Sequence, residues 1–257
     1  KRSVDIFHHF GDVVGGDPGF VNTGWAFLIP DHVSGQFAEN LSLARQAGVD
    51  VREISEGQLR AMEPRLELSD VSQIAYESES GYADPIATTH AYAHRFLELG
   101  GQLMAMNPAR GLLLSGGKVS GVRTEQGDIS TNVVVNAAGP WAGRVAAWAD
   151  LDVPIRVTRE EEIVLETAPA GGPPRLAFSD MVQAIYYRPH GATGMLVGRG
   201  FPKEYEVVEP NGYCQEVRIS FIADATQRLG KRWPGFRNTL VVNAYTGLYD
   251  VTPDWHP

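Results

Sequence analysis

Apolar residues recur at helical spacing in several stretches of the chain, and residues typical of helix ends bound these stretches. In the clearest case, Asp84 and Pro85 form the N-cap and first-turn pair of a helix that Gly100 ends. The same spacing predicts helices at the start of the chain, around Phe37, Leu41 and Ala44, after the capping box of Ser55 and Gln58, from Pro140 to Asp150, and up to Gly230.

Runs rich in Val, Ile, Leu and Tyr lie between these helices, and the glycine and proline turns that separate them predict strands. The runs occupy residues 23–31, 72–80, 101–106, 109–116, 118–127, 128–139, 153–169 and 183–200. Val133, Val134 and Val135 follow one another without a polar residue between them. Because such a run is typical of a strand covered on both faces, it predicts an inner strand of a parallel sheet.

Gly139 occupies the turn between this predicted strand and the helix that Pro140 begins. In open α/β sheets, ligands bind at the carboxyl ends of inner strands, where backbone N–H groups and the helix dipole favour anionic groups. A small-residue turn before a helix also packs well without any ligand. The spacing by itself leaves both interpretations open.

The composition is that of an ordinary globular protein, with 257 residues that allow one large or two modest domains. Acidic residues outnumber basic ones by 31 to 22 without a basic patch, which argues against a nucleic-acid partner. Apolar runs are far shorter than the ~20 residues that span a membrane, and the first residues lack the apolar core of a signal peptide. With Cys214 as the single cysteine, we expect a cytoplasmic protein without a membrane partner.

Histidines provide the only metal-ligand spacing in the sequence. His90 and His94 lie four residues apart on a predicted helix, but no carboxylate stands between them and no third ligand is evident. His8 and His9 project about 100° apart on a helix and cannot easily share one ion. We therefore expect no metal site.

Four separated motifs occur in a recognisable order. They are "GYADPIATTHAYAHRFLELGGQL", "GKVSGVRTEQGDISTNVVVNAAGPWAGRVA", "IYYRPHGATGMLVG" and "NAYTGLYDVTPDWHP". This series resembles the D-amino-acid oxidase family of FAD-dependent oxidoreductases, which includes sarcosine oxidase, glycine oxidase and dimethylglycine dehydrogenase. The branch with the sarcosine oxidase beta-subunit and dimethylglycine dehydrogenase is the most similar.

The resemblance implies an α/β (α+β) fold class, with an incomplete FAD-binding three-layer domain and an antiparallel-sheet substrate domain. The G-x-G-x-x-G fingerprint is absent and the chain ends before the family's last glycine-rich segment, so we interpret it as an internal fragment. Because that fingerprint binds the pyrophosphate, we expect weak or absent FAD binding by this chain alone. The implied segments are 1–70 (bridging the domains), 71–150 (partial FAD-binding domain), 151–236 (substrate domain) and 237–257 (return to the FAD-binding domain).

The resemblance also implies oxidation of the C–N bond of an amino acid or a secondary or N-methylated amine, by hydride transfer to the flavin. The planar fork of an arginine suits the substrate carboxylate. Arg188 is the first candidate for this anchor and Arg159 is the second. Tyr187 or Tyr186 is expected to shape the pocket, and Tyr249 to lie near the substrate. The residues expected to contact FAD are Ala138, Gly139, Pro140, Trp141, Gly247, Thr252 and Asp254.

Three alternatives remain open at this point. Arg188 could instead be a strand arginine paired on the surface, and the run from Arg159 to Glu162 is interpreted as a solvated edge rather than a site. The chain could be a non-catalytic module of the same fold that does not bind FAD by itself. Its partners would be a small amine or amino acid and either a second copy of the chain or a partner subunit.

Overall fold

A computed structural model describes residues 1–167, 171–237 and 239–255 of the chain. The end of the predicted strand 153–169 and the last two residues of the tail motif lie outside this description. The helices are α1 (Arg2–His8), α2 (Phe10–Val13), α3 (Phe37–Gln46), α4 (Glu56–Met62), α5 (Pro85–Glu98), α6 (Ala142–Ala147) and α7 (Ile219–Arg232). The strands are β1 (Trp25–Ile29), β2 (Val51–Glu53), β3 (Gln73–Glu77), β4 (Ala109–Ser115), β5 (Lys118–Thr124), β6 (Gly127–Ser130), β7 (Arg156–Glu166), β8 (Ala177–Asp180), β9 (Ile185–His190), β10 (Gly194–Arg199), β11 (Glu206–Val207) and β12 (Val241–Val251).

The chain divides into two compact units. Unit 1 consists of residues 1–99, 161–204 and 216–246, and unit 2 consists of residues 100–160, 205–215 and 247–257. These boundaries differ from those of the segments expected from the sequence. The assignment of an FAD-binding and a substrate-binding domain stays a prediction. None of the helices described is long and apolar enough to cross a membrane.

Unit 1 contains a mixed sheet in the order β7-β10-β9-β8-β1-β3-β2, and β12 also pairs with β7. β1 and β8 run parallel to each other, while β7, β10, β9 and β8 form a series of antiparallel pairs. The alternation of apolar residues in β9 buries Tyr187 and exposes part of its two neighbours. The predicted mixture of helices with an antiparallel sheet is confirmed.

The core of unit 1 lies between this sheet and α7. Phe221, Ala225 and Leu229 recur every four residues along α7, which places them on one buried face. The ring of Tyr187 stacks on Phe178 with centroids 4.8 Å apart, and aromatic packing of this kind adds to the gain from burial. The face of β9 that carries Tyr187 therefore packs into the core.

A buried ion pair connects the end of α7 to the end of β8. The Nε of Arg232 lies 2.7 Å from the Oδ2 of Asp180, and both side chains are almost inaccessible to solvent. Asp70 accepts a further hydrogen bond from Arg232 at 2.8 Å. Burial lowers the pKa of Arg232, but the hydrogen bond and charge of Asp180 raise it more, so its pKa lies above the ordinary value. The guanidinium therefore stays charged inside the unit.

Unit 2 contains the antiparallel sheet β4-β5-β6. Its three strands confirm the predicted glycine-separated strands, with one turn at Gly116 and Gly117 and a second at Glu125 and Gln126, directly before Gly127. The strand predicted over residues 101–106 is wrong, because these residues adopt no strand and Met106 is 92% exposed. An apolar composition was not sufficient to form a strand at residues 101–106, because no described strand pairs with them.

The predicted inner strand at Val133–Val135 is also wrong. Residues 132–138 form no strand, and the exposed fractions of Val133 and Val135 are 76% and 83%. A strand needs neighbours that pair with its backbone groups and cover its faces. Within the described residues no strand pairs with this segment, so Val133 and Val135 are exposed and Val134 is half-buried.

Candidate active site

Strand β9 separates the two tyrosines that were candidates for the pocket wall. Side chains alternate between the faces of a strand, so Tyr186 and Arg188 share one face and Tyr187 takes the other. Tyr187 is fully buried in the core, and this burial raises the pKa of its hydroxyl well above the ordinary value. Tyr187 is therefore a core residue, and Tyr186 is the tyrosine beside Arg188.

Arg188 is a half-buried cation without an acidic partner. Its guanidinium carbon lies 4.3 Å from the centroid of the Tyr82 ring, a favourable cation–π contact. Its Nη1 donates a hydrogen bond to the carbonyl oxygen of Pro189 at 2.9 Å. Within the part of the chain that the structure describes, Arg188 forms no salt bridge, so other donors of its guanidinium remain available for an anion.

Glu162 lies on the same sheet face, two strands away from Tyr186. Gly198 of the intervening strand β10 is opposite both residues. A Cβ atom at Gly198 would lie 2.3 Å from Cζ of Tyr186, so the tyrosine ring lies across the glycine. The hydroxyl of Tyr186 donates a hydrogen bond to Oε1 of Glu162. Glycine at position 198 is what allows this contact.

Tyr245 of β12 completes this group of side chains. Burial raises the pKa of Tyr245, hydrogen bonding and the charge of Glu162 raise it further, and Arg188 lowers it by less. The phenol therefore stays protonated near neutral pH and acts as a hydrogen-bond donor. We call Tyr82, Glu162, Tyr186, Arg188 and Tyr245 the Arg188 cluster.

The sequence pointed to Arg188 and Tyr186 but missed the other three members of the cluster. Glu162 was hidden in a run of charges, and Tyr82 and Tyr245 are far from β9 in the chain. The available signals were the occurrence of Tyr82 in the first motif and of Tyr245 in the tail motif. Cross-strand neighbours cannot be deduced from the alternation of one strand.

The interpretation of Arg159 to Glu162 as a solvated edge is wrong. Arg159 and Glu161 are both buried, because β7 has neighbouring strands along its length. In unit 2, Nε of Arg159 donates to the carbonyl oxygen of Cys214 at 2.6 Å, and Nη1 lies 3.5 Å from Glu206. These partners occupy the guanidinium, which makes Arg159 a poor anchor for a substrate carboxylate.

The predicted flavin-binding turn forms a short 3-10 helix, Gly139–Trp141, that leads into α6. Gly139 has a φ of +51°, and a Cβ there would meet nothing within 4 Å. Trp141 donates from Nε1 to Asn211 at 2.8 Å. Ala138, at the N-cap position, and Pro140 complete the turn. Its open backbone fits the close approach of a ligand.

The other predicted flavin contacts lie on β12 and in the turn after it. Gly247 also faces open space, and Thr252 donates a hydrogen bond to Asp254 at 2.9 Å. Tyr249 belongs to unit 2, whereas the Arg188 cluster belongs to unit 1. The roles assigned to these four residues stay predictions.

Metal ligands are not assembled in the described ranges. No group of three or more His, Cys, Asp or Glu side chains there is placed to hold an ion. His94 instead lies 3.3 Å from Glu98 on the exposed surface of α5.

Comparisons with known proteins show which family the sequence matches. A family model described as "FAD dependent oxidoreductase" (DAO) matches residues 1–257. Human mitochondrial sarcosine dehydrogenase is 26% identical over 154 residues, which are 58% of this chain and 17% of that protein. The 4-methylaminobutanoate oxidase (formaldehyde-forming) of Paenarthrobacter nicotinovorans is 27% identical over 224 residues, which are 84% of this chain and 27% of that protein.

A solved structure is similar over the whole chain. The L-proline dehydrogenase from P. horikoshii superposes with a TM-score of 0.87 at 25% identity, over 100% of this chain and 67% of that one. The chain thus spans about a quarter or less of the two curated relatives and two thirds of this structure.

Proposed function

The chain belongs to the DAO family of FAD dependent oxidoreductases, and from this membership we propose that it oxidises the C–N bond of an amino acid or N-methylated amine. The resemblance inferred from the four sequence motifs is confirmed. FAD, when bound, supplies the acceptor for a hydride. The names of the relatives, which mention sarcosine and 4-methylaminobutanoate, support a small N-methyl amino acid as substrate.

The observation that carries the proposal is the unpaired guanidinium of Arg188. A half-buried cation without an acidic partner is costly unless a ligand supplies the opposite charge. The fork of an arginine binds a carboxylate with two parallel hydrogen bonds. Arg188 would therefore hold the substrate carboxylate, while its stacking on Tyr82 limits the rotation of the guanidinium.

The two tyrosines of the cluster would bind and orient the substrate rather than remove a proton from it. The Tyr186 hydroxyl donates to Glu162, and the raised pKa of Tyr245 keeps its proton in place. Neither phenol is therefore a base near neutral pH. The substrate amine would have to lose its proton to water or to a group other than these two tyrosines before oxidation.

We further propose that two groups of unit 2 contact FAD. Residues 138–141 would offer the open backbone at Gly139, and Gly247 would allow a similar approach on β12. Thr252 and Asp254 would add polar contacts to FAD, and the role of Tyr249 remains the one predicted from the tail motif. A cytoplasmic location and a second copy or partner subunit remain predictions from the sequence.

The test is reduction of the flavin by candidate substrates without oxygen. The protein is incubated with excess FAD until titration shows that flavin is bound, and it is then mixed anaerobically with sarcosine, proline or 4-methylaminobutanoate. Loss of the flavin absorbance with at least one of them, and formation of the corresponding imine or aldehyde product, is the expected result. A flavin that stays oxidised with every N-methyl and cyclic amino acid tested would contradict the proposal.

A further inference from the structure

Two opposite charges of unit 1 share one sheet face without forming a salt bridge. Glu162 and Arg188 are both half-buried, and neither forms an ion pair among the residues described. Arg188 is opposite Leu196, and Glu162 is opposite Gly198, on the same intervening strand β10. The two residues lie two strands apart and are offset by two positions along the sheet, which places their Cα atoms about 12 Å apart. Their two side chains, with a small ligand between them, can span this distance.

Tyr186 fixes the position of the Glu162 carboxylate on this face. Its hydroxyl donates a hydrogen bond to Oε1 of Glu162. Glu162 raises the pKa of Tyr245 and Arg188 lowers it by less, so both charged groups lie close enough to act on this phenol.

This arrangement favours the binding of a ligand with one carboxylate and disfavours the binding of a ligand with two. A first carboxylate gains the hydrogen bonds of Arg188. A second carboxylate on the same small molecule would extend toward Glu162 and be repelled by it. At about 8 Å in a partly buried site, repulsion between two unit charges corresponds to roughly a tenfold or larger loss of affinity.

We propose that Glu162 is a specificity-determining residue, which makes the Arg188 site selective for amino acids with one carboxylate over those with two. The inference rests on the proposed function, because it takes Arg188 as the carboxylate anchor. Glu162 acts by charge, and the hydrogen bond from Tyr186 positions its carboxylate. The substrate class is thereby narrowed to monocarboxylate secondary amines.

Sarcosine and iminodiacetate form a matched pair of probes, since the second differs from the first by one added carboxylate. Their dissociation constants are measured by calorimetry on the intact, FAD-loaded protein at pH 7.5. We expect the wild type to bind sarcosine at least tenfold more tightly. Glu162→Gln keeps the shape and removes the charge, and it should shift the ratio of the two constants about tenfold toward iminodiacetate.

Two variants separate this effect from a purely structural one. Tyr186→Phe removes one hydrogen bond but keeps the charge of Glu162, so the ratio should stay near that of the wild type. Glu209→Gln removes an exposed charge in unit 2 and should leave both constants unchanged.

The outcomes distinguish this inference from the proposed function. An unchanged ratio in Glu162→Gln, or an equal loss of both ligands, would overturn the role of Glu162 while leaving Arg188 as the anchor. Failure of the wild type to bind either probe would overturn both proposals.

Discussion

Tyr186 reaches Glu162 across Gly198, and its hydroxyl donates a hydrogen bond to the carboxylate two strands away. The contact depends on the missing side chain of the glycine, because a Cβ there would lie 2.3 Å from the tyrosine ring. The hydrogen bond between these two polar side chains thus depends on Gly198, a residue that has no side chain.

Gly198→Ala should therefore displace the Tyr186 ring and break its hydrogen bond with Glu162. The expected cost is about 1–3 kcal/mol of unfolding free energy, as for other overpacked sites. Urea denaturation followed by circular dichroism measures it. Gly111→Ala on β4 is the matched control, since a Cβ there meets nothing within 4 Å. Equal stability of the two variants would show that the ring adapts without cost.

Arg188→Ala should weaken the binding of carboxylate substrates selectively. Loss of charge-assisted hydrogen bonds worth about 1.5–3 kcal/mol predicts a KM for sarcosine roughly 10- to 150-fold higher. The KM for dimethylamine, which has no carboxylate, should change little. Steady-state kinetics on the intact enzyme measures both values.

Arg123→Ala is the control for this experiment, because Arg123 is an exposed arginine of β5 in unit 2. It should leave both KM values unchanged. If Arg188→Ala raised the KM for dimethylamine as much as that for sarcosine, the anchor role would be rejected.

Asp180→Ala should destabilise unit 1 strongly. It leaves the charge of Arg232 buried without its main partner, and breaking a buried pair in this way costs about 3–5 kcal/mol. Thermal and urea denaturation measure the loss. Glu98→Ala breaks an exposed pair with Arg95 and should change the stability by less than about 1 kcal/mol. A loss of less than about 1 kcal/mol in Asp180→Ala would mean that Asp70 alone can balance the buried charge of Arg232.

The chain of residues 1–257 should bind FAD weakly by itself. Residues 132–138, which precede the predicted contact at Gly139, form no strand and are exposed, and no G-x-G-x-x-G turn is available for the pyrophosphate. Quenching of flavin fluorescence on titration measures the affinity. Riboflavin, which lacks the pyrophosphate, serves as the reference and should bind about as poorly. A stoichiometric, tightly held FAD would refute this prediction.

Much of the local structure could be predicted because its causes lie within a few residues. Asp84 accepts hydrogen bonds from the backbone of Ile86 and Ala87 at 2.8 Å, as its position before Pro85 predicts. Ser55 and Gln58 form the predicted capping box at the start of α4. Family membership was also visible, because the motifs occur in a fixed order along the chain.

The errors arose where a residue's environment depends on distant segments. Val133 and Val135 have the composition of an inner strand, but no described strand pairs with them, so they are exposed. Arg159 and Glu161 have the composition of a solvated edge, but neighbouring strands bury them. Composition limits which secondary structures a segment can adopt, and pairing with other strands determines which of them it adopts.

The sequence by itself determined the helix caps, most strand positions and the family, and it predicted Arg188 as the carboxylate anchor. Only the tertiary structure decided which groups surround that arginine. Glu162 and Tyr186 meet because strands β7, β10 and β9 and the glycine of β10 place them on one face, although 24 positions of the chain separate them. The physical reason is that caps and turns depend on neighbours in the chain, whereas charge, burial and hydrogen bonding at a site depend on neighbours in space.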